Sequence, residues 1–423
     1  MEKIDRKIKD GIILHLMKTG DRFKTNYIAI NILLDLKRED VTKNSLTSLV
    51  LRRGTSKYPT MKDISIKLED MYGATFDADV DKLGDRLVMQ FVMDSISNDY
   101  TLNEEDVLLD GLELISDAIL NPVLENYIFK EEYVEQEKDT LKEIINSKIN
   151  DKGSYAQERA VEEMYKDEPY GIYKFGYVED LENITPESLY EHYLKILESG
   201  EFHIYISGSF DDDKVFELLN NKFSKVNRNY VDKNEKLEKE FIKKDNPNEV
   251  IEHQNVTQGK LVLGYKLDSQ SLKDDFYKMT VYSAILGGTA SSKLFNNVRE
   301  KKSLAYTIRS QYIKHKGAMF ASAGIELENY DLAKECILKE INDMRIGEIT
   351  EEELNAAKVN LVTRYKSLND SQLALIGWSI GQKLLGGDED LNVAIDKINE
   401  ITIQDVVEVA NRLHLDTTYY LTA

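Results

Sequence analysis

Arg299 and Tyr306 carry the side chains in this sequence best suited to chemistry on a carbonyl. They close a block that opens at Gly287-Gly288, continues through Ser291-Ser292-Lys293-Leu294-Phe295 to Arg299, and ends at Leu304-Ala305-Tyr306. A guanidinium presents several N–H donors in a planar fork, and a phenol presents one aimed O–H; both can hold carbonyl oxygens. Gly287-Gly288 permits a tight loop, and Ser291 or Ser292 can cap the helix expected after it. That helix would carry Arg299 near its C-terminal end, and Tyr306 falls in the strand pattern Leu304-Ala305-Tyr306-Thr307-Ile308. The same spacing allows a plainer role, in which Arg299 stabilises a helix C-terminus and Tyr306 is half-buried packing.

Other chemistries find little support. There is no G-x-S-x-G elbow, and Gly259-Lys260 is followed by Leu261, so there is no phosphate-binding loop. The six histidines are His15, His192, His203, His253, His315 and His414, and no two lie within a helical turn of each other. Zinc sites usually include one short local spacing, so a site here would have to be assembled from distant residues. The one cysteine, Cys336, cannot form an internal disulfide, which suits a reducing cytoplasm.

Composition sets the frame. The 423 residues are 42% hydrophobic and 31% charged, as in a soluble globular protein of more than one domain. A net charge of −21 argues against nucleic acid or an anionic membrane as partner, because both require basic footprints. The first residues never develop the apolar run of a signal peptide, and no stretch approaches a membrane span. The expectation is a soluble, cytoplasmic protein.

The elements that must position the block are legible from their periodicity. Strands are expected at Gly11–Leu16, Tyr27–Leu34, Ala74–Val80 and Arg86–Val92, with helices over about 44–52, 61–71, 104–120 and 124–150. Thr185-Pro186 opens a further helix that leads into the strand at Phe202–Gly208. Residues 225–249 are dense in charge, poor in apolar anchors and include Pro247, as a linker would be. Thr402 then opens a helix leading into Thr418-Tyr419-Tyr420-Leu421. Thr185 and Thr402 are 217 positions apart, and Asp151 and Asp370, which end two similar stretches, are 219 apart. Two landmarks with nearly one offset indicate a duplication. The expected fold is α+β, with a first repeat at 1–224, a linker at 225–249 and a second repeat at 250–423. Each repeat is an antiparallel-rich sheet with helices on one face.

With these residues in view, the chain resembles the insulinase and mitochondrial-processing-peptidase family of zinc peptidases over nearly its whole length. Gly54-Thr55, Tyr72-Gly73-Ala74, Pro169-Tyr170-Gly171, Gly176 and Ile184-Thr185 match that family's landmarks, and the Gly287–Tyr306 block matches its substrate-binding segment. The resemblance implies two metallopeptidase-like halves of a clam-shell. It also implies an inverted H-x-x-E-H motif, and the chain has none. Counting back from Gly54, the motif window is Ser45-Leu46-Thr47-Ser48-Leu49. Ser45 and Leu49 stand where the histidine ligands would be and Ser48 where the glutamate base would be, and none of them can serve. Glu143 is the remnant that the resemblance offers for the third ligand. It further implies that Arg299 and Tyr306, with Gly287 and Gly288, hold a substrate's backbone. Family members capture peptides on an edge strand, here Thr75–Asp79, but this chain has Asp77-Ala78 where active members usually carry Asn-Ala. Charged residues there would equally protect an edge from aggregation.

The leading functional expectation is the non-catalytic, peptide-binding subunit of a heterodimeric zinc peptidase. Zinc would sit in an H-x-x-E-H-bearing homologous subunit and none in this chain, which would form a homodimer if that partner were missing. The alternative is a peptide- or protein-binding pseudoenzyme, such as a maturation or chaperone factor, that acts without a protease partner. A hydrolase with a relocated site ranks last.

Overall fold

The computed structural model describes residues 2–103, 105–231 and 243–423. In chain order the first part comprises strands β1 (Glu2–Lys9), β2 (Ile12–Lys18) and β3 (Thr25–Asp35), helices α1 (Val41–Arg52) and α2 (Met61–Asp70), then β4 (Thr75–Leu83) and β5 (Arg86–Ile96). Helix α3 (Val107–Leu120) is followed by the short ladder of β6 (Leu124–Glu125) and β7 (Ile128–Phe129). Helices α4 (Glu131–Ser147), α5 (Lys152–Met164), α6 (Val178–Leu181) and α7 (Pro186–Ser199) lead to β8 (Glu201–Gly208) and α8 (Asp212–Phe223). The second part has β9 (Asn248–His253), β10 (Gly259–Leu267), α9 (Leu272–Ser283), β11 (Ala305–Ile313), β12 (Ala318–Ile325), α10 (Tyr330–Arg345), α11 (Glu351–Leu368), α12 (Gln372–Lys383), α13 (Leu391–Glu400), α14 (Ile403–Asn411) and β13 (Leu413–Thr422). The helix expected over 124–150 is thus shorter: the β6–β7 ladder takes its first residues.

The chain forms two compact units. One comprises the chain to Ser147 together with the stretch from Ile172 to the end of the first part. Its six-stranded sheet has the order β1-β2-β8-β3-β5-β4, with β2 and β8 parallel and the other pairs antiparallel. Period-two alternation gives the sheet two unlike faces. Ile28, Ile30 and Ile32 of β3, with Met89 and Phe91 of β5 and Ile204 and Ile206 of β8, belong to one apolar core with residues of α1, α3, α7 and α8. The opposite face carries polar groups joined by hydrogen bonds. His15 Nδ1 lies 2.7 Å from Asp5 on β1, His15 Nε2 lies 2.9 Å from His203 Nδ1, and Gln90 donates to Asn31 at 2.8 Å. Two of the scattered histidines therefore stitch strands together.

The other unit contains Lys148–Gly171 and the described residues from Lys243 onward. Its sheet runs β11-β12-β10-β13-β9, with β13 and β9 parallel and the rest antiparallel. Stripped of β1, the first sheet has the same order and sense: β4-β5-β3-β8-β2 matches β11-β12-β10-β13-β9. Thr185 and Thr402 also open equivalent helices through capping boxes, with Ser188 and Asp405 as partners. The duplication read from two short sequence landmarks is a repeat of topology.

The expected repeat boundaries, 1–224 and 250–423, differ from these units at one segment. Lys148–Gly171 belongs with the second sheet, because Ala156, Ala160, Val161 and Met164 of α5 pack against Val262, Phe320, Tyr419 and Leu421. The alternate residues Leu261 and Leu263 of β10 point to the opposite face, so this sheet carries a helix on the side that the first-repeat reading left bare. Of the expected linker, residues 232–242 lie outside the described residues. At its start Arg228 donates to the carbonyls of Asp10, Leu197 and Gly200, and at its end Asn248 and Glu249 already belong to β9.

A carboxylate hub fixes α5 in place. Glu252 on β9 accepts from Tyr155 (2.7 Å) and Arg159 Nε (3.1 Å) of α5, from Tyr419 of β13 (2.8 Å) and from Gln254 (2.6 Å). Burial alone would raise its pKa, but these donors outweigh it and hold the carboxyl down to about 2. Glu252→Ala strands the buried Tyr419 phenol, while Arg159 keeps Glu162 and Glu163, and should lower the stability of this unit by about 2 kcal/mol. Urea unfolding followed by the fluorescence of Trp378, the chain's single tryptophan and a residue of this unit, should show the lower midpoint.

Candidate functional site

Helix α1 occupies the position where the resemblance expects metal ligands, and it is buried on nearly every side. Ser45 and Ser48 are 1% and 2% exposed, and both hydroxyls are turned to the main chain. Ser45 Oγ donates to the carbonyl of Lys174 at 2.9 Å, and Ser48 Oγ donates to the carbonyl of Ser45 at 2.8 Å. Leu49 joins the apolar core. A zinc ion requires convergent lone pairs, and these side chains offer their protons to backbone oxygens instead. The residues present do not fit the metal.

Glu143 does not complete the set either. Tyr133, Val134, Glu137 and Leu141 are the buried residues of α4, while Glu143 is exposed, roughly 200° around the helix from Leu141. The buried carboxylate of α4 is Glu137. It accepts from Arg53, the residue just after α1, at 2.7 Å, and the same guanidinium bonds Gln136 and lies 4.6 Å from the centre of the Tyr133 ring. Sequence reasoning missed this pair, although Arg53 immediately precedes the Gly54-Thr55 landmark. That landmark has a steric cause: a Cβ at Gly54 would lie 2.7 Å from the Pro59 carbonyl oxygen. Thr55, fully buried, accepts from the Tyr58 amide at 2.9 Å. Further along α1, Asn44 accepts from His192 Nε2 at 2.7 Å, so a third histidine is structural.

The two edge strands differ in chemistry. On β4 the carboxylates of Asp77, Asp79 and Asp81 accept from the amides of Ala78 (2.9 Å), Val80 (2.8 Å) and Lys82 (2.8 Å). Asp77 is also paired with Arg52 at 2.5 Å. Three main-chain donors on that outer strand are therefore already satisfied, as in an edge guarded against added strands. Strand β11, its counterpart in the other unit, has exposed Tyr306, Thr307, Arg309 and Gln311 and no such aspartates.

The Gly287–Tyr306 block forms two wide helical turns. Residues Ala284–Gly288 and Leu294–Glu300 have π-helical geometry, a form frequent at functional sites. Gly287 is buried, and a Cβ there would lie 2.6 Å from the Ser310 amide nitrogen of β11, so its role is to seat the first turn on that strand. Gly288 is exposed. Neither serine caps the second turn: Ser291 Oγ lies 3.2 Å from Thr289 Oγ1, and Ser292 Oγ is buried with no hydrogen-bond partner among the described residues. Arg299 is partly exposed, with its guanidinium carbon 4.6 Å from the centre of the Phe295 ring. The chain reverses at Ser303, whose φ is +53°, and enters β11. Tyr306 is 51% exposed and sits in a bulge, because Ala305 pairs with Ile325 and Thr307 with the next residue back, Gly324. Bulges re-aim side chains. Here the phenol projects outward and donates to the carboxylate of Glu326. The structure thus places Arg299 and Tyr306 on successive elements, both reachable from solvent.

The fold defines a zinc-peptidase scaffold, and the window that the resemblance assigns to the metal carries two hydroxyls and a leucine. Residues 183–361 match the family model described as the peptidase M16 inactive domain. The chain is 31% identical to the "Probable inactive metalloprotease YmfF" of Bacillus subtilis (strain 168), over 97% of this chain and 96% of that one. It is 26% identical to a second protein of that strain, "Uncharacterized zinc protease YmfH", over 71% and 69% of the two chains. The crystal structure of a conserved protein from Enterococcus faecalis V583 superposes with a TM-score of 0.92 at 26% identity, covering 100% of this chain and 99% of the other. The chain belongs to the M16 metallopeptidase family, as a member without catalytic activity.

Two outcomes follow. Metal analysis of the purified chain should find far less than one equivalent of zinc, and Ser45→His/Ser48→Glu/Leu49→His should not acquire tight zinc binding, because Glu143 is on the wrong side of α4. Stoichiometric zinc in either protein would overturn the assignment. The second outcome concerns pH. Burial pushes the His192 imidazole down to about 4, against the opposing pull of Asp40, whereas an unfolded histidine titrates near 6.5. Stability is then fully present above pH 6.5 and declines as pH falls toward 4, because the unfolded chain takes up the proton first. The total is about 3 kcal/mol. His192→Gln should remove that part of the slope in urea titrations at pH 7, 5.5 and 4.5.

Proposed function

We propose that this chain is the peptide-holding, non-catalytic subunit of a two-chain zinc peptidase, working in the cytoplasm with a homologous subunit that carries the metal. The observation that carries this reading is the asymmetry of the two edge strands. Strand β4 is satisfied by its own aspartates, whereas β11 is exposed and ends at the bulge that presents Tyr306. An edge strand binds a peptide through main-chain hydrogen bonds, which tolerate many sequences. Arg299 and Tyr306 then add donors for carbonyl oxygens. The coexistence in one bacterial strain of an inactive relative and a relative named a zinc protease supports a division of labour between two chains. The buried lone Cys336 supports a reducing compartment. Among the described residues no helix is long and apolar enough to cross a membrane.

The internal bond from Tyr306 to Glu326 adds a condition. Engaging a substrate carbonyl exchanges a charge-assisted bond for a neutral one, so binding is weakened by the difference. The test is a complex reconstituted with an H-x-x-E-H homologue from the same cell. Tyr306→Phe should lower kcat by about 10²-fold if the phenol meets developing charge, and Arg299→Ala should mainly raise KM. Glu326→Gln, which weakens the competing bond, should lower KM. Zinc content and assembly should be unchanged in all three. Wild-type kinetics in Arg299→Ala and Tyr306→Phe would return both residues to packing roles, and failure of any such homologue to assemble with this chain would overturn the two-chain reading.

A further inference from the structure

The second unit contains a cleft of about 390 Å³ that Arg299 and Tyr306 do not line, although Gly288 and the β11 residues Ser310 and Gln311 border it. Phe276 of α9, Tyr365 of α11 and Trp378 of α12 supply aromatic walls, and the cations Lys314 and Arg364 also line it. Among the described residues no carboxylate lines the cleft, in a chain whose net charge is −21.

Lys314 is the unusual member. It follows β11, and among the described residues its ammonium has neither a carboxylate nor a hydrogen-bond acceptor as partner. Its contacts are the rings of Phe276 and Trp378, whose centres lie 5.5 and 5.6 Å from Nζ. Cation–π attraction recovers part of the hydration an ammonium loses on burial, and only part. The remaining cost is visible in its titration: burial pushes the Lys314 amine down to about 8. The fold nevertheless makes room for it. A Cβ at Gly381 of α12 would lie 2.5 Å from Nζ, so a larger residue there would displace the ammonium. The neighbouring His315 donates to the Gly381 carbonyl at 3.1 Å, which ties the same segment to α12. An ammonium held in this way, against two aromatic rings in a cleft that a second cation also lines, lacks one component: an anion.

We propose that this cleft binds an organic carboxylate with an aromatic or aliphatic body, the carboxylate at Lys314 and Arg364 and the body against Phe276, Tyr365 and Trp378. The volume lies within the range of small-molecule sites. Such a carboxylate has two sources, a free small acid or the C-terminus of a peptide, and both share this chemistry.

Trp378, the single tryptophan of the chain, reports occupancy directly. The probes are 3-phenylpropionate with its amide, and acetyl-Gly-Gly-Phe with its C-terminal amide, titrated into the intact chain at pH 7. Phenyl groups do not absorb where tryptophan alone is excited. At least one acid should give a saturable fluorescence change, and its amide should bind at least about tenfold more weakly, a difference of about 1.4 kcal/mol. Lys314→Met, which keeps the length of the side chain and removes the charge, should lose about tenfold or more, and Arg364→Gln should lose less. Circular dichroism on both variants separates lost binding from lost folding, and Gly381→Ala, which moves the ammonium without removing it, gives an independent loss. Tighter binding of the peptide acid than of 3-phenylpropionate assigns the site to peptide C-termini, and the reverse order assigns it to small acids. No saturable change with either acid up to about 10 mM, which corresponds to no more than about 3 kcal/mol of binding, would overturn the proposal. Equal affinity of acid and amide, or unaltered binding by folded Lys314→Met, would do so as well.

Discussion

The hydrogen-bonded hub at Glu252 decides to which unit a whole segment of the chain belongs. The face that α5 lays on the second sheet is built largely from small residues, Ala156 and Ala160, with Val161 and Met164. Small residues bury little apolar area, so they allow close approach without fixing direction. Direction comes from charge. Glu252 of the sheet accepts from two donors of α5, and at the far end of the segment Glu168 accepts from Lys266 (3.0 Å) and Lys316 (2.9 Å). The acceptor is on the sheet at one end and on the segment at the other. A segment pinned by opposite polarities at its two ends can neither slide nor reverse without separating a partly buried, hydrogen-bonded pair, which is unfavourable. Burial would raise the Glu168 carboxyl, but the two lysines hold it below the usual carboxylate range.

That arrangement also breaks the symmetry of a duplicated fold. Both sheets share one order and one sense, so at the level of backbone the units are alternatives to each other. They differ in where ionisable side chains were placed. In the first, aspartates satisfy the edge strand and a buried Arg53–Glu137 pair sits between α1 and α4. In the second, the edge strand is left with its bulge at Tyr306, and a buried ammonium lies under an aromatic cleft. One topology therefore yields one closed edge and one presenting edge.

What the sequence made legible was whatever sterics or capping chemistry enforces locally. Thr185 and Thr402 announce helix starts because a threonine cap with a partner three residues on is a local bond. Gly54 is recognisable because a Cβ has no room beneath the Pro59 carbonyl, and Gly176 because its φ is +80° and a Cβ would lie 2.2 Å from the Thr42 hydroxyl oxygen. The position of Arg299 and Tyr306 on successive exposed elements was also legible. Strand β1 was not, because its Glu-Lys-Ile-Asp-Arg-Lys-Ile-Lys sequence has the polarity of a tail and is held by an edge pairing and the Asp5–His15 bond. The partition of α5 was hidden for a related reason: its partners are about a hundred residues away. The π-helical turns and the cleft at Lys314 depend on tertiary packing, which no short spacing encodes.

These features bear on what a chain whose α1 hydroxyls do not fit a metal could accomplish. Donors such as Arg299 and Tyr306 speed a reaction only when they bind its transition state better than its ground state. The Ser45 and Ser48 hydroxyls of α1 are committed to backbone carbonyls, so neither offers a metal the lone pairs it would need. In the proposed reading the chain on its own would hold a peptide, and uniform retention gains no rate. In that reading the same donors would act in catalysis only beside a metal, carried by another chain, that polarises the substrate carbonyl. Under that proposal, what is set opposite the surface decides between holding and catalysis, and the bulge at Tyr306 suits both because it leaves the phenol outward and bonded to Glu326.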